Sequence, residues 1–191
     1  NNDISVHSLD ENLPEKDFVL ITFHPVTKKN ENIPLIMDYI ISYLAKKNNT
    51  KIIFEPGRSI IGNTGYLISK VIYIKESIKK SFIILDAAMN DLMRPALYGV
   101  NHMTVPAIKN RQISNKIYEF VGPICESTDK FTTLKNFQKL KEKDLVAMCD
   151  VGAYGMSLSS NYNVRPKPVE LLIKGSKIKI IRKRQKHKDL M

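Results

Sequence analysis

From Gly57 to the C-terminus, short runs of β-branched and aromatic residues follow one another without a long helical stretch between them. No other feature limits the fold as much. The runs cover 65–74, 81–86, 116–121 and 144–149, then a hairpin of 168–173 with 177–183 turned by Lys174-Gly175-Ser176. Such a series predicts an antiparallel sheet or a closed β-barrel.

The earlier residues have a different texture. Residues 17–23 (DFVLITF) read as a short apolar strand ending at His24-Pro25. Leu35, Ile36, Tyr39, Ile40, Tyr43 and Leu44 recur at helical spacing, which predicts an amphipathic helix over 34–47 with Pro34 in its first turn. Residues 51–55 (KIIFE) read as a buried strand closed by Pro56-Gly57. Helix followed by strand is one unit of a parallel α/β sheet or barrel, so a domain boundary is expected near residue 60.

Composition narrows the function classes. At 191 residues, 43% hydrophobic and 26% charged, the chain is long enough and apolar enough for a real core. No apolar run approaches the ~20 residues that span a bilayer. The opening Asn1-Asn2-Asp3 lacks the pattern of a secretory signal. Cys125 and Cys149 have neither metal-type spacing nor a disulfide framework, which points to the reducing cytoplasm. A net charge of +11 favours anionic partners. The basic run over 174–188 has no interleaved aromatics for stacking bases, so nucleic acid is not the expected partner.

Four motifs carry chemistry. In Gly122-Pro123-Ile124-Cys125-Glu126-Ser127 a strand delivers a thiol beside a carboxylate. Neighbouring side chains of a strand point to opposite faces, so the two converge on one ligand only if the chain turns there. The thiol can donate a proton and the carboxylate can hold an amine; alternatively, Cys125 is a small packing residue. Glu55-Pro56-Gly57-Arg58 ends a predicted strand, with Gly57 allowing close approach and Arg58 offering a fork to phosphate or carboxylate. Arg94 and Tyr98 share one face if 86–98 turns helically around Pro95, and together they suit a carboxylate. Gly152-Ala153-Tyr154-Gly155 leaves little bulk around a phenol. His24 can meet a phosphate or serve a structural role, while His7, His102 and His187 have no visible constellation. The polar run 159–163 (SSNYN) has no role readable from its chemistry.

Taken in order, EPGR at 55–58, DAAMNDLMRPALY at 86–98, GPICES at 122–127, GAYG at 152–155 and RPKPVELLI at 165–173 resemble the C-terminal half of the diaminopimelate decarboxylases. These are pyridoxal-phosphate enzymes of the alanine-racemase-like class. The resemblance implies an α/β plus all-β architecture: a remnant of a (β/α)8 barrel over 31–60, then a C-terminal β-barrel or antiparallel β domain over 61–191. It leaves residues 1–30 without an assigned place. It implies pyridoxal 5'-phosphate as cofactor, met by Glu55, Pro56, Gly57, Arg58 and Tyr154. It implies meso-diaminopimelate as substrate, bound by Arg58, Arg94, Tyr98, Glu126 and Tyr154 and converted to L-lysine and carbon dioxide. Cys125 would return the proton to the α-carbon. The class is homodimeric, with Cys125 and Glu126 serving the partner's site.

The same resemblance implies a Schiff-base lysine, a ring-stacking histidine and a triple-glycine loop, none of which is found before Glu55. Residues 17–27 resemble instead a segment of UDP-N-acetylglucosamine 2-epimerases, with His24 in the nucleotide-sugar site. The expectation is therefore a truncated or fused decarboxylase, inactive alone, with a seam between residues 27 and 50. The alternative is a non-catalytic β domain that dimerises or binds a partner.

Overall fold

The computed structural model describes residues 57–108 and 112–191, together with Leu35, Asp38, Ser42 and Tyr43. Those four are helical, inside the helix expected over 34–47; the strands expected over 17–23 and 51–55 lie outside the described residues. The chain divides into two compact units, Asn1–Glu55 and Pro56–Met191.

The second unit opens with a short helix α1 (Gly57–Ile61) and a 3-10 turn (Gly62–Thr64), then β1 (Leu67–Glu76) and β2 (Lys80–Leu85). Helix α2 (Arg94–Tyr98) and β3 (Thr104–Pro106) precede β4 (Ile117–Val121), β5 (Lys130–Leu134) and β6 (Leu145–Met148). A hairpin of β7 (Glu170–Lys174) and β8 (Lys177–Arg182) forms a separate two-stranded sheet. Its turn is Gly175-Ser176, with Gly175 at φ 59.

The first six strands make one sheet in the order β3-β6-β1-β2-β4-β5. Its pairings are antiparallel except β2 with β4, which run parallel from Lys80 opposite Ile117 to Ile84 opposite Val121. The sequence predicted an antiparallel sheet or a closed β-barrel, and the parallel β2–β4 pair is the one departure from it. A parallel neighbour needs a long crossover, and residues 86–116 supply one, carrying α2 and β3. Two strands were not anticipated. β3 is three residues long, ends in Pro106 and sits at an edge, where a missing N–H is tolerated. β5 (KFTTL) is short and half polar.

The sheet bends toward closure. Beyond β3 and β5, Ile113 and Gln138 form an antiparallel bridge. Ser114 N–H donates to Phe137 O at 2.8 Å, and Lys139 N–H to Gln112 O at 2.9 Å. The two edges are thereby joined into a nearly closed, barrel-like sheet, leaving less open edge to pair with other chains.

Period-two alternation fills the interior. β2 buries Ser81, Ile83 and Leu85, β4 buries Tyr118 and Phe120, and β1 buries Ser69 and Val71. Tyr118, Phe120 and Phe137 stack edge-on or tilted, with ring centroids 5.2 to 6.3 Å apart. This packed face fixes the strand ends from which the site loops leave.

Candidate active site

β4 hands the chain to a tight turn. Gly122 N–H donates to Asp129 O at 2.9 Å, Glu126 N–H to Ile124 O at 2.8 Å and Asp129 N–H to Glu126 O at 3.1 Å. This is the turn that convergence of Cys125 and Glu126 requires. Asp129 pins it from inside. Its buried carboxylate accepts the N–H of Ile124 and, across the fold, the N–H of Met89, each at 2.7 Å. Gly122 must be glycine, because a Cβ there would lie 2.2 Å from an Asp129 carboxylate oxygen. Burial pushes the Asp129 carboxyl up from its ordinary range, opposed by the two N–H bonds and by the Arg165 charge.

Cys125 is exposed, so the reading of it as a packing residue does not hold; the buried thiol is Cys149. Glu126 is also exposed. One of its oxygens accepts the Tyr162 hydroxyl and the other the Thr128 hydroxyl, the latter at 3.4 Å.

A second set of residues braces the same corner. Asn90, fully buried, donates its amide to Ser160 O at 3.2 Å, while its own backbone O accepts Ser160 N–H at 2.9 Å. Arg165 donates Nε–H to Asn90 Oδ1 at 3.0 Å and a second guanidinium nitrogen to Asp86 O, and lies 3.8 Å from Asp91. Burial raises the Asp91 carboxyl, and the Arg165 charge and the Ala88 N–H oppose that shift. Segments 86–91, 122–129 and 160–165 are thus tied into one unit. Sequence reasoning missed Asp129, Tyr162, Asn90 and Arg165 as working parts. The signal for Asp129 was an acid closing a Gly-Pro turn; for Arg165 it was membership of the RPKPVELLI stretch without a role.

Arg94 and Tyr98 do fall on one short helix, with buried Pro95 in its first turn. An open cleft of about 230 Å³ is lined by Pro95, Ala96 and Gly99 on the α2 side and by Ser127, Thr128 and Lys130 on the other. Its second wall directly continues the Cys125–Glu126 turn. His102 is placed in a constellation after all. It is buried, its Nδ1 lies 2.9 Å from Cys149 O, and its Nε2 has no hydrogen-bond partner among the described residues. Burial lowers its pKa and the Arg94 charge adds to this, against the Cys149 carbonyl and Asp150.

The remaining expected residues form another group. Gly57 and Arg58 lie exposed in α1. Gly152 N–H donates to Gly62 O at 2.9 Å, and Val151 N–H to Gly65 O at 3.1 Å. A Cβ on Gly152 would lie 2.0 Å from Ile61 O, so only glycine lets the 152–155 loop seat against the end of α1. Tyr154 projects from that loop, exposed, at φ 60. Glu55, Pro56 and His24 lie outside the described residues. Among the described residues no helix is long and apolar enough to cross a membrane.

This arrangement has counterparts. A family model for the C-terminal sheet domain of pyridoxal-dependent decarboxylases matches residues 9–152, a span that takes in 17–27. Diaminopimelate decarboxylase of Zymomonas mobilis is 47% identical over 154 residues, covering 80% of this chain and 36% of the relative. That of Aquifex aeolicus is 36% identical over 192 residues, covering 95% of this chain and 45% of the relative. The crystal structure of diaminopimelate decarboxylase from Helicobacter pylori complexed with L-lysine superposes with a TM-score of 0.71 at 40% identity, covering 86% of this chain and 40% of that one. The chain spans less than half the length of the curated relatives it matches.

Proposed function

The chain belongs to the pyridoxal-dependent decarboxylases, matching their C-terminal sheet domain, and from that premise we propose that it supplies the substrate-facing residues of a diaminopimelate decarboxylase. The observation that carries this reading is the exposed Cys125 and Glu126 on one turn, pinned by Asp129 and continuous with the wall of the α2 cleft. In it, residues 61–191 are the C-terminal β domain and residues 31–60 belong to the cofactor-binding α/β barrel.

The residues present fit pyridoxal phosphate. Among the described residues nothing would lie within 4 Å of a Cβ on Gly57, and Arg58 and the Tyr154 phenol are both exposed in the group that packs at α1. Glu55, Pro56, Gly57, Arg58 and Tyr154 would hold the cofactor, whose ring, when bound, takes up the electron pair left by departing carbon dioxide. The rest falls to this chain. Arg94 and Tyr98 fix the distal carboxylate of meso-diaminopimelate, with Arg58 and Tyr154 also meeting the substrate. Glu126 holds the distal amine. Cys125 Sγ then delivers its proton to the α-carbon, and the product is L-lysine. The active unit is a homodimer in which Cys125 and Glu126 serve the site of the partner subunit.

The test is carbon dioxide release by the cofactor-loaded protein that carries this chain, from meso-diaminopimelate and from L-lysine and L-ornithine. Loss of a contact to a charged group costs about 1.5–3 kcal/mol, so a substrate lacking the distal carboxylate or presenting its amine elsewhere falls about 100-fold in kcat/KM. Equal turnover of L-ornithine contradicts the assignment.

A further inference from the structure

We propose that Tyr162 is a positioning residue for Glu126, holding its carboxylate ready for the distal amine of the substrate; this rests on the function proposed above. The Tyr162 hydroxyl donates to Glu126 Oε1, from a segment 36 residues away in sequence. Thr128 approaches the other oxygen at 3.4 Å, a contact too long to fix it. Glu126 is exposed, and without the phenol its side chain would sample many rotamers that each substrate would have to freeze out. The phenol engages Oε1, and Oε2 has only the long Thr128 contact to give up to an ammonium group. Preorganising it in this way improves binding without adding a contact to the substrate.

The loop bearing Tyr162 is built to a fixed shape. Asn161 donates to Arg165 O at 2.8 Å and to Gln185 Oε1 at 2.7 Å. The buried Asn90 anchors Ser160 on one side and accepts Arg165 on the other. Asn163 and Val164 both stand at φ 57, a left-handed conformation that is costly for the β-branched Val164. Val164 is exposed, so packing of its side chain does not account for the strain. The flanking hydrogen bonds hold it, and they leave the phenol little freedom to move away from Glu126.

Tyr162→Phe keeps the ring and removes only the donor. In the cofactor-loaded protein it is expected to raise KM for meso-diaminopimelate, and the Kd for L-lysine measured by calorimetry, about tenfold while kcat falls less than about threefold. In a Glu126→Gln background the same substitution adds less than about twofold, because the group it orients is already altered. Unchanged KM and Kd in Tyr162→Phe overturn the proposal, as does a tenfold loss that persists in the Glu126→Gln background. A wild-type protein that neither binds L-lysine nor releases carbon dioxide from meso-diaminopimelate overturns the underlying function, and this inference with it.

Discussion

Asp129 shows how one buried side chain determines where two exposed ones stand. Its two oxygens each accept a different backbone N–H, from Ile124 and Met89. Asparagine offers one oxygen and one NH2, so Asp129→Asn leaves an N–H facing a donor. The expected cost is about 1–3 kcal/mol in chemical unfolding, despite removal of a buried charge. His102 provides a second test. Its pKa is held below the ordinary 6.5 by burial first, with Arg94 adding to the effect. Below about pH 6.5 the unfolded chain therefore takes up a proton that the folded protein refuses, and stability falls as pH drops from about 7 to 5. His102→Gln should flatten that slope, as read from unfolding midpoints across the range; an unchanged slope refutes the linkage. At this scale the sequence was partly legible. Cys125, Glu126, Arg94, Tyr98 and Tyr154 stand out by residue type and motif; the first two lie on a turn, Arg94 and Tyr98 on one short helix and Tyr154 on a loop. Asp129, Asn90, Arg165 and Tyr162 do not stand out. Each acts through contacts 36 to 79 residues away in sequence, which no local pattern encodes.

Among the elements, strands with strong alternation were the most readable. β2, β4, β6 and the β7–β8 hairpin lie within a residue or two of the predicted runs, and β1 runs on to Glu76. β3 and β5 escaped because one is three residues long and the other is polar on half its positions. The parallel β2–β4 pairing escaped because direction is set by the 86–116 crossover and not by the composition of either strand. α1 and the 152–155 loop depend on each other through glycine. Gly152→Ala would drive a methyl into Ile61 O, 2.0 Å away, and should cost about 1–3 kcal/mol or more. Gly57→Ala meets no described residue within 4 Å and should change thermal stability by less than about 0.5 kcal/mol. Similar losses from the two would show that the α1–loop contact does not exist.

Across the whole molecule, the nearly closed sheet carries two groups of expected site residues on its loops. One joins α1 to Tyr154; the other joins the Cys125–Glu126 turn, the α2 cleft and the Tyr162 loop. In the proposed function these loops, and not the strands between them, hold the chemistry-bearing residues, as binding residues commonly sit on loops placed by a rigid scaffold. In that function the exposed thiol is the most consequential atom of the chain, since a proton donor must reach a ligand and Cys149 is buried. The decisive measurement is kcat for carbon dioxide release from meso-diaminopimelate by the cofactor-loaded protein with Cys125→Ala beside Cys149→Ala. A lost proton donor predicts a fall of about 100-fold or more for Cys125→Ala and little change for Cys149→Ala. A Cys125→Ala protein that keeps the wild-type kcat would contradict the assignment of Cys125.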